Sequence, residues 1–381
     1  MSKHYVLAAG GTGGHMVPAA ALAEELMKRG HRVALVSDAR GVRFPGLFDG
    51  VQTHVLPAGR FQLKKPQGWM SAVREMMRGR AMARELYKTF RPAAVIGFGG
   101  YPAFPALLAA FAEKIPTAVH EQNAVLGRVN RTVARRVDAI ATSYAETARL
   151  AERYLGKTHL VGNPVREAVL ALRAKPFPLL EEDGIFRVLV TGGSQGASIL
   201  SRVVPDGLAM LPVSFRARLQ VTHQARIEDM DAVRAQYAEH QIPAEVATYL
   251  PDLPERLAWA HLVIARAGAS TIAELTAAGR PAILVPLPGA TDDHQTANAR
   301  EITQAGGART IPQDRFTAIE LAKQMQKLGL DPAALENAAG RARSVGQPTA
   351  VSDLADLVES LDAPRIMLPV PSPQRKQEAF A

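Results

Sequence analysis

The sequence predicts an α/β protein built from two doubly wound parallel-sheet domains, on two observations. Short Val/Ile/Leu-rich strands alternate with Ala-rich helical segments along most of the 381 residues, and such apolar strands indicate parallel sheets covered on both faces. The start, "HYVLAAGGTGGH", also resembles "FRVLVTGGSQGA" at 186–197, with strand, paired glycines, hydroxyl residue and helix in the same order. Ligands of such domains are expected at the carboxyl ends of the strands.

The elements follow in order along the chain. "HYVLAA" and "RVALVS" are predicted strands on either side of a helix from about Pro18 to Arg29, and strand "AAVIGF" precedes helix "PAFPALLAAF". Strand "LVIARA" then precedes helix "STIAELTAAG", and strand "PAILVPL" precedes helix "HQTANAREITQAG". Near the end, "PTAVSDLADLVESL" places its apolar residues on one helical face.

A chain of this length favours two domains over one. The repeated glycine motif and a proline-bearing stretch between its copies set the expected boundaries. We expect an N-terminal domain over 1–164, a linker over 165–185, a C-terminal domain over 186–345, the amphipathic helix within 346–364 and a disordered tail over 365–381.

Composition restricts the class of protein. Apolar residues make up 47% and charged residues 21%, as in folded soluble chains. The absence of cysteine suits a reducing compartment. "MSKHYVLAAGG" is interpreted as a first strand rather than a signal peptide, and "YPAFPALLAAFA" is too short for a membrane span of roughly 20 residues. The formal charge of +9 favours anionic partners: nucleic acid, an anionic membrane face or phosphorylated ligands.

The two glycine loops match no standard nucleotide motif. No lysine follows either loop as a P-loop requires, and Met16 occupies the sixth position of the dinucleotide fingerprint that Gly11 and Gly13 begin. Glycines before a helix still let main-chain N–H groups face an anion, which the helix dipole favours. The alternative is a tight turn with no ligand, which the occurrence of two matching loops disfavours.

Seven ordered segments together resemble one enzyme family. They are "GGTGGH", "GFGGYPAFPALLAA", "HEQNAVLGRVNR", "GNPVR", "TGGSQGA", "RAGASTIAELTAAGRPAILVPLP" and "DDHQTANA", and the similarity runs from about His4 to about Leu361. The chain resembles the MurG family of N-acetylglucosaminyltransferases. The resemblance implies the glycosyltransferase-B fold, two Rossmann-like domains with a cleft between them, and a terminal helix that packs back on the N-terminal domain.

The resemblance also implies an activity. It is the inverting transfer of GlcNAc from UDP-GlcNAc to the C4 hydroxyl of MurNAc-pentapeptide-pyrophosphoryl-undecaprenol (lipid I), giving lipid II for peptidoglycan, cell shape and cell division, without a cofactor. The implied location is peripheral, at the cytoplasmic face of the bacterial inner membrane. Anionic membrane lipids and other cell-wall synthesis proteins are the further partners expected.

By the same resemblance, the second domain holds the UDP-sugar. Ser194 matches a residue at the diphosphate, and Arg166 one that balances phosphate charge. Leu250 falls where uracil is recognised, a position at which isoleucine is common in the family. Gln295 matches a residue that reads GlcNAc hydroxyls.

The segment "AGASTIAEL" adds Ala269, Ser270, Thr271 and Glu274 at a helix start. The amides of this turn suit the diphosphate and the sugar, and the carboxylate of Glu274 suits the ribose hydroxyls. The alternative for Glu274 is a solvated helix glutamate, which the motif disfavours.

On the acceptor side, Thr12, Gly13 and Gly14 can form an anion cradle that also touches the donor, and Asn123 matches a residue at the donor sugar. His15 is the candidate general base, because an imidazole can take the muramyl hydroxyl proton near neutral pH. The alternative is a histidine that only positions phosphate.

Two aspartate pairs could suggest a metal, namely Asp292 with Asp293 and the "DMD" at 229–231. The second pair lies in a predicted surface helix, where residues two apart point in different directions. We therefore predict no metal site.

The stretch "GRFQLKKPQGWMSAVREMMRGRAMARELYKTF" mixes methionines and Trp69 with many arginines and lysines. A basic amphipathic helix can lie on an anionic leaflet. The alternative is an ordinary domain helix whose methionines are part of the core.

Two other functions remain to be distinguished. A UDP-GlcNAc 2-epimerase of the same architecture would need only the UDP-sugar and should place acid/base carboxylates in the cleft. A non-enzymatic nucleotide or RNA binder is suggested by the positive charge, but aromatic residues are only 6% and scattered, so no nucleic-acid partner is expected.

Overall fold

The computed structural model describes residues 2–39, 41, 46–57, 59, 69–181, 183–193, 196–329 and 331–362. Within them the chain forms two α/β domains, each with its own parallel sheet. The expected tail, 365–381, lies outside the described residues.

In the described part of the N-terminal domain, the parallel sheet has the order β3-β2-β1-β4-β5-β6-β7. Its strands and helices are β1 (His4–Ala8), α1 (Gly13–Lys28), β2 (Arg32–Ser37), β3 (Gln52–Val55), α2 (Trp69–Phe90), β4 (Ala94–Gly97), α3 (Ala103–Ala112), β5 (Thr117–Glu121), α4 (Arg128–Val133), β6 (Ala139–Thr142) and β7 (Thr158–Leu160).

In the described part of the C-terminal domain, the parallel sheet has the order β10-β9-β8-β11-β12-β13. The remaining strands and helices are α5 (Glu167–Leu170), β8 (Phe186–Thr191), α6 (Ser198–Ala209), α7 (Val213–Arg216), β9 (Leu219–Gln224), α8 (Met230–Glu239), β10 (Ala244–Ala247), α9 (Leu253–Trp259), β11 (Leu262–Ala265), α10 (Ala269–Ala278), β12 (Ala282–Leu284), α11 (His294–Gln304), β13 (Ala308–Thr310), α12 (Ala318–Gly329), α13 (Pro332–Ser344) and α14 (Ala350–Ser360).

The predicted fold class is confirmed by these sheets. Central strands such as β1 and β11 are buried along nearly their whole length, because helices cover both faces of each sheet. In each sheet the chain order reverses next to the first strand of the domain, between β1 and β4 and between β8 and β11. Such reversal points open a crevice at the carboxyl ends of the strands.

Helix α1 begins at Gly13, more than one turn before the start that the sequence predicted. Thr12 is extended (φ −137°, ψ 159°), and its carbonyl accepts the first helical bonds from the N–H groups of His15 (3.1 Å) and Met16 (3.2 Å). The expected start near Pro18 was therefore wrong, because Gly13 and Gly14 are the first helical residues rather than a separate loop.

The segment expected to be a linker has structure of its own. Helix α5 lies within it, and Val169 and Leu172 are buried in the core of the C-terminal domain. The segment that connects the two domains is thus packed against the C-terminal domain.

Helix α14 packs against α1 of the N-terminal domain. Leu354 and Val358 are fully buried there, in the same cluster as Tyr5 and Leu22. The Arg29 guanidinium adds ion pairs at 2.6 Å to Asp356 and to Glu359. The chain therefore ends its described part on the domain in which it began.

Candidate active site

A cleft of about 730 Å³ separates the two domains. Its walls are the turns that follow β1, β5, β8, β9, β10 and β11, together with the first turns of α1, α6 and α10. All of these turns leave the carboxyl end of a strand, which is where doubly wound sheets bind ligands.

The cleft brings together most of the predicted site residues from both halves of the chain. Those that line it are Thr12, Gly13, Gly14, His15, Asn123, Arg166, Leu250, Ala269, Ser270, Thr271, Glu274 and Gln295. Ser194 lies outside the described residues, although its neighbours Gly193 and Gly196 line the same wall.

His15 stands in the first turn of α1 with a defined ring orientation. Its Nδ1 lies 3.1 Å from the carbonyl oxygen of Gly10. Because a carbonyl oxygen only accepts, Nδ1 carries the proton, and in the neutral ring Nε2 carries the lone pair. The ring is thus in the tautomer that can accept a proton through Nε2.

Two glycines after β4 shape the space around this ring. Gly99 and Gly100 have φ of 88° and 77°, in the left-handed region that favours glycine. A Cβ built on Gly99 would lie 3.1 Å from His15 Nε2, and one on Gly100 would lie 2.7 Å from the oxygen of Gly10. These positions need glycine because the backbone passes so close to the histidine and to its acceptor.

Asn123 lies at the end of β5 on a buried carboxylate. Glu121 Oε1 accepts from both the backbone N–H and the side-chain Nδ2 of Asn123, each at 3.1 Å. His120 is buried beside them, donates to the oxygen of Gly162 (2.8 Å) and accepts from Gln122 (3.0 Å). Burial lowers the pKa of His120 to about 4, so this ring is neutral and held within the domain.

On the opposite wall, α10 points its N-terminus into the cleft. Gly268 is its N-cap, and no side chain in the described part of the chain caps the first turn, so the amides of Ala269, Ser270 and Thr271 are available to a ligand. The Ser270 hydroxyl oxygen is buried and has no hydrogen-bond partner among the described residues. An uncapped helix start with an unpaired hydroxyl suits an anion.

Arg166 and Glu274 form an ion pair inside the cleft. Nη2 and Nε of Arg166 lie 2.7 and 3.2 Å from the same oxygen, Oε1 of Glu274. Glu274 is buried, not solvated, and burial raises its pKa while the charge of Arg166 lowers it in part. Because both bonds go to Oε1, Oε2 remains an acceptor.

Gln295, near the start of α11, holds the turn before α10. Its Oε1 accepts from the N–H of Ala267 (3.2 Å) and of Leu287 (2.9 Å). Its Nε2 therefore remains as the donor for a ligand hydroxyl. Leu250, after β10, is buried and lines the cleft together with Leu253 and Leu257.

Comparison with known proteins decides the family. The profile described as "Glycosyltransferase family 28 N-terminal domain" matches residues 5–142, and "Glycosyltransferase family 28 C-terminal domain" matches 187–358. A protein of Novosphingobium aromaticivorans named UDP-N-acetylglucosamine–N-acetylmuramyl-(pentapeptide) pyrophosphoryl-undecaprenol N-acetylglucosamine transferase is 64% identical over 96% of this chain and 94% of its own. The crystal structure of Acinetobacter baumannii MurG superposes with a TM-score of 0.75, at 30% identity over 94% of this chain and 99% of that one.

The chain belongs to the MurG family of glycosyltransferases. The predicted resemblance and the glycosyltransferase-B fold are thereby confirmed. UDP-GlcNAc 2-epimerase from Neisseria meningitidis, crystallised with UDP-GlcNAc, has a TM-score of 0.65 at 15% identity, over 93% of this chain and all of that one. That likeness shows a common fold alone.

In this MurG-family chain, the C-terminal wall of the cleft carries three arginines that the sequence analysis did not single out, namely Arg202, Arg226 and Arg266. Arg266 is 9% exposed, directly after β11, and donates to the carbonyls of Val285 (3.0 Å) and Pro286 (3.1 Å). The sequence feature that could have identified Arg266 is its position immediately before the "AGAS" turn. Its buried charge adds positive potential beneath the expected diphosphate.

The two aspartate pairs that could suggest a metal lie apart from each other, and Asp292 and Asp293 have other partners. Asp292 pairs with Arg131 at 2.9 Å and Arg149 at 3.1 Å, both from the N-terminal domain. Asp231 projects from α8 into solvent. Among the described residues, no group of three His, Cys, Asp or Glu side chains could hold a metal ion.

Proposed function

We propose that this protein transfers GlcNAc from UDP-GlcNAc to the C4 hydroxyl of MurNAc-pentapeptide-pyrophosphoryl-undecaprenol, the reaction for which its relatives are named. One observation carries the assignment of roles within the site: two helix starts, α1 and α10, face each other across one cleft. Each can hold a diphosphate through its uncapped amides, so a donor and an acceptor that both carry diphosphates can meet.

The donor is assigned to the C-terminal wall. The first-turn amides of α10, the hydroxyl of Ser270 and that of Ser194 would bind the diphosphate, with Arg166 balancing its charge. Main-chain atoms at Leu250 would recognise uracil. Oε2 of Glu274 would accept hydrogen bonds from the ribose hydroxyls.

The sugar is assigned to the centre of the cleft. Nε2 of Gln295 would donate to a GlcNAc hydroxyl, with Ala269 and Thr271 beside it. Thr12, Gly13 and Gly14 would hold the acceptor diphosphate and also touch the donor across the cleft, and Asn123 would contact the donor sugar.

His15 is assigned as the general base. The C4 oxygen attacks the anomeric carbon while Nε2 takes its proton, and the bond from that carbon to the diphosphate breaks with its electron pair leaving on UDP. The single displacement inverts the anomeric centre. The amides and dipole of α10 stabilise the negative charge on the departing UDP. This electrostatic stabilisation is of the same kind as that of an oxyanion hole in acyl-transfer enzymes.

Helix α2 is the proposed membrane contact, at the cytoplasmic face of the inner membrane. Met70, Val73 and Met77 are 85%, 44% and 48% exposed, at spacings that place them along one side of the helix, with exposed Arg74 and Arg78 beside them. Methionines this exposed are not core residues, so the observation favours an anionic lipid surface.

The rest of the basic stretch, with Arg60, Lys64 and Lys65, lies outside the described residues, as does the side chain of Trp69. No described helix is long and apolar enough to span a bilayer. Association with other cell-wall synthesis proteins stays a prediction.

The activity is tested with radiolabelled UDP-GlcNAc, with and without a lipid-diphosphate MurNAc-pentapeptide acceptor. If the protein is a transferase, the label should appear in the lipid product, and only when the acceptor is present. Conversion of UDP-GlcNAc to its 2-epimer without acceptor would instead identify an epimerase. Binding of UDP-GlcNAc without either product would leave a nucleotide-binding protein.

Membrane contact is tested by sedimentation with vesicles that contain phosphatidylglycerol. R74E/R78E should reduce the bound fraction, whereas K323E/K327E, with the same charge change on exposed lysines of α12, should not. Equal binding by both variants and the wild type would remove α2 from the membrane surface.

A further inference from the structure

We propose that Asn298 is a positioning residue for the transfer reaction, joining the two walls of the cleft through its side-chain amide. The inference rests on the proposed function and adds a residue that does not line the cleft. Asn298 lies on α11, three residues after Gln295 and on the same side of the helix, and it is fully buried where the two domains meet.

The amide of Asn298 uses all of its strong hydrogen-bonding groups at once. Its Oδ1 accepts from the backbone N–H of Ala124 in the N-terminal domain at 2.8 Å. Its Nδ2 donates to Oδ1 of Asn123 at 3.1 Å and to the carbonyl oxygen of Ala267 in the C-terminal domain at 3.2 Å. The Asn298 side chain therefore forms hydrogen bonds with two backbone groups and with the side chain of Asn123, and these partners come from both walls of the cleft.

An amide is the group that this position requires. Asn123 cannot reverse its own amide without turning its oxygen toward the Glu121 carboxylate, which now accepts from Asn123 Nδ2. The two oxygens that face Asn298 Nδ2 therefore both need a donor. A carboxylate of the same shape would keep the bond from Ala124 but would oppose those two oxygens with a third.

The contact reaches the donor site through Ala267. The N–H of Ala267 donates to Gln295 and its carbonyl accepts from Asn298, so both of its backbone groups are held by α11. The next residue, Gly268, is the N-cap of α10. Gln295 continues to hold this turn when the Asn298 amide is lost, so the role left to Asn298 is to join the turn to Asn123 and Ala124 of the N-terminal wall.

Other contacts fix α11 on the N-terminal domain. Asp292, just before the helix, pairs with Arg131 and Arg149, and the Tyr144 hydroxyl lies 3.4 Å from the carbonyl oxygen of Asn298. Asp292 and Asp293 have φ of 57° and 53°, a left-handed conformation that aspartate tolerates better than most residues. These contacts hold α11 against the N-terminal domain, and Asn298 is the buried residue of the helix at this interface.

The proposal predicts that loss of the Asn298 amide affects turnover more than it affects UDP binding. The nucleotide contacts belong to the C-terminal wall, whereas His15 and Asn123 belong to the other wall. Loss of the Asn298 amide should therefore lower kcat by about tenfold or more, because small misalignments of reacting groups are costly. The Kd for UDP should change by less than about threefold, since the ribose and uracil contacts remain.

The test uses N298D as the isosteric variant, N298A as the truncation, and T303V as the matched control. Thr303 lies on the same helix, but its hydroxyl bonds at 2.7 Å to Thr310 within the C-terminal domain. Kinetics, UDP calorimetry and thermal unfolding are measured for each. We expect a reduced kcat with preserved UDP binding in N298D and N298A, and wild-type kcat in T303V.

A second readout requires no substrate. The chain has no cysteine, so spin labels can be placed by A112C and A238C on exposed residues of the two domains without background. N298D should broaden the distribution of distances between the labels, and T303V should leave it narrow.

The proposal is overturned if N298D keeps both the wild-type kcat and the narrow distance distribution. A parallel loss of kcat and UDP affinity with a narrow distribution would also overturn it, and would make Asn298 a support of the donor loop alone. Wild-type protein that fails to transfer GlcNAc would refute the proposed function instead, while the label distances still decide whether Asn298 joins the domains.

Discussion

The two domains begin with similar sequences but present different chemistry to the cleft. After β1, the helix starts at Gly13 and brings His15 to the surface of the cleft. After β8, the helix starts only at Ser198, and the polar residues proposed to bind the donor come largely from α10, after β11. The repeated strand–glycine–helix motif thus repeats the fold, whereas individual side chains determine which group each wall presents to the cleft.

The electrostatic character of the two walls differs in the same way. The N-terminal wall offers one imidazole in a defined tautomer, closely surrounded by glycine backbone. The C-terminal wall offers a buried ion pair, uncapped amides and several arginines. If the first wall performs the proton transfer and the second holds the donor, variants on the two sides must affect different kinetic constants.

The largest effect should come from His15→Ala. Without a base for the acceptor hydroxyl, kcat should fall about a hundredfold or more, which corresponds to about 3 kcal/mol of transition-state stabilisation. The KM for UDP-GlcNAc should stay close to that of the wild type. Steady-state kinetics with His159→Ala, an exposed histidine of the same domain, provide the control. A near-normal kcat in His15→Ala would end its role as the base.

On the other wall, Glu274→Gln should weaken donor binding by roughly 10- to 100-fold, because hydrogen bonds to charged groups contribute about 1.5–3 kcal/mol. The change should appear in KM and in the Kd for UDP measured by calorimetry, with a smaller change in kcat. Glu255→Gln, on an exposed glutamate of α9, is the control. Unchanged UDP affinity would show that Glu274 does not contact the nucleotide.

Gly99→Ala should separate backbone strain from crowding of the base. Gly99 and Gly30 have φ of 88° and 84°, but an added Cβ would contact His15 at Gly99, whereas at Gly30 it would lie more than 4 Å from the atoms of other described residues. Both alanine variants should lose about 1 kcal/mol of unfolding free energy. Only Gly99→Ala should also lose kcat, by about tenfold. Equal kcat values in the two variants would contradict the proposed crowding.

The smallest effect concerns pH. Burial raises the pKa of Glu274 and Arg166 lowers it in part, so the affinity for UDP-GlcNAc should fall as pH decreases through that raised pKa, when the carboxylate is protonated. Removing the charge in Arg166→Ala should shift the midpoint of this loss to higher pH. Calorimetric titration across pH measures it. A midpoint that stays or moves to lower pH would show that the pair does not control donor binding.

The sequence already contained much of the fold and part of the site. Strand and helix periodicity placed β1, β2, β11, α10 and α11, because buried parallel strands require continuous apolar residues and covering helices require one apolar face. The start of α1 was missed because paired glycines, such as Gly13 and Gly14, are typical of a loop and because Pro18 is typical of the first turn of a helix. The extended N-cap at Thr12, which decides the helix start, is a backbone property that residue type did not reveal.

By itself, the sequence determined the α/β class with two parallel sheets and the family, and it predicted the two glycine turns proposed to bind anions, since these depend on local pattern and on motif order. Only the tertiary structure decided that Arg166 pairs with Glu274, that Gly99 lies against His15, and that Asn298 joins both walls. Each of these contacts links residues far apart in the chain. Their geometry follows from how the two sheets and their helices pack, and no local pattern specifies it.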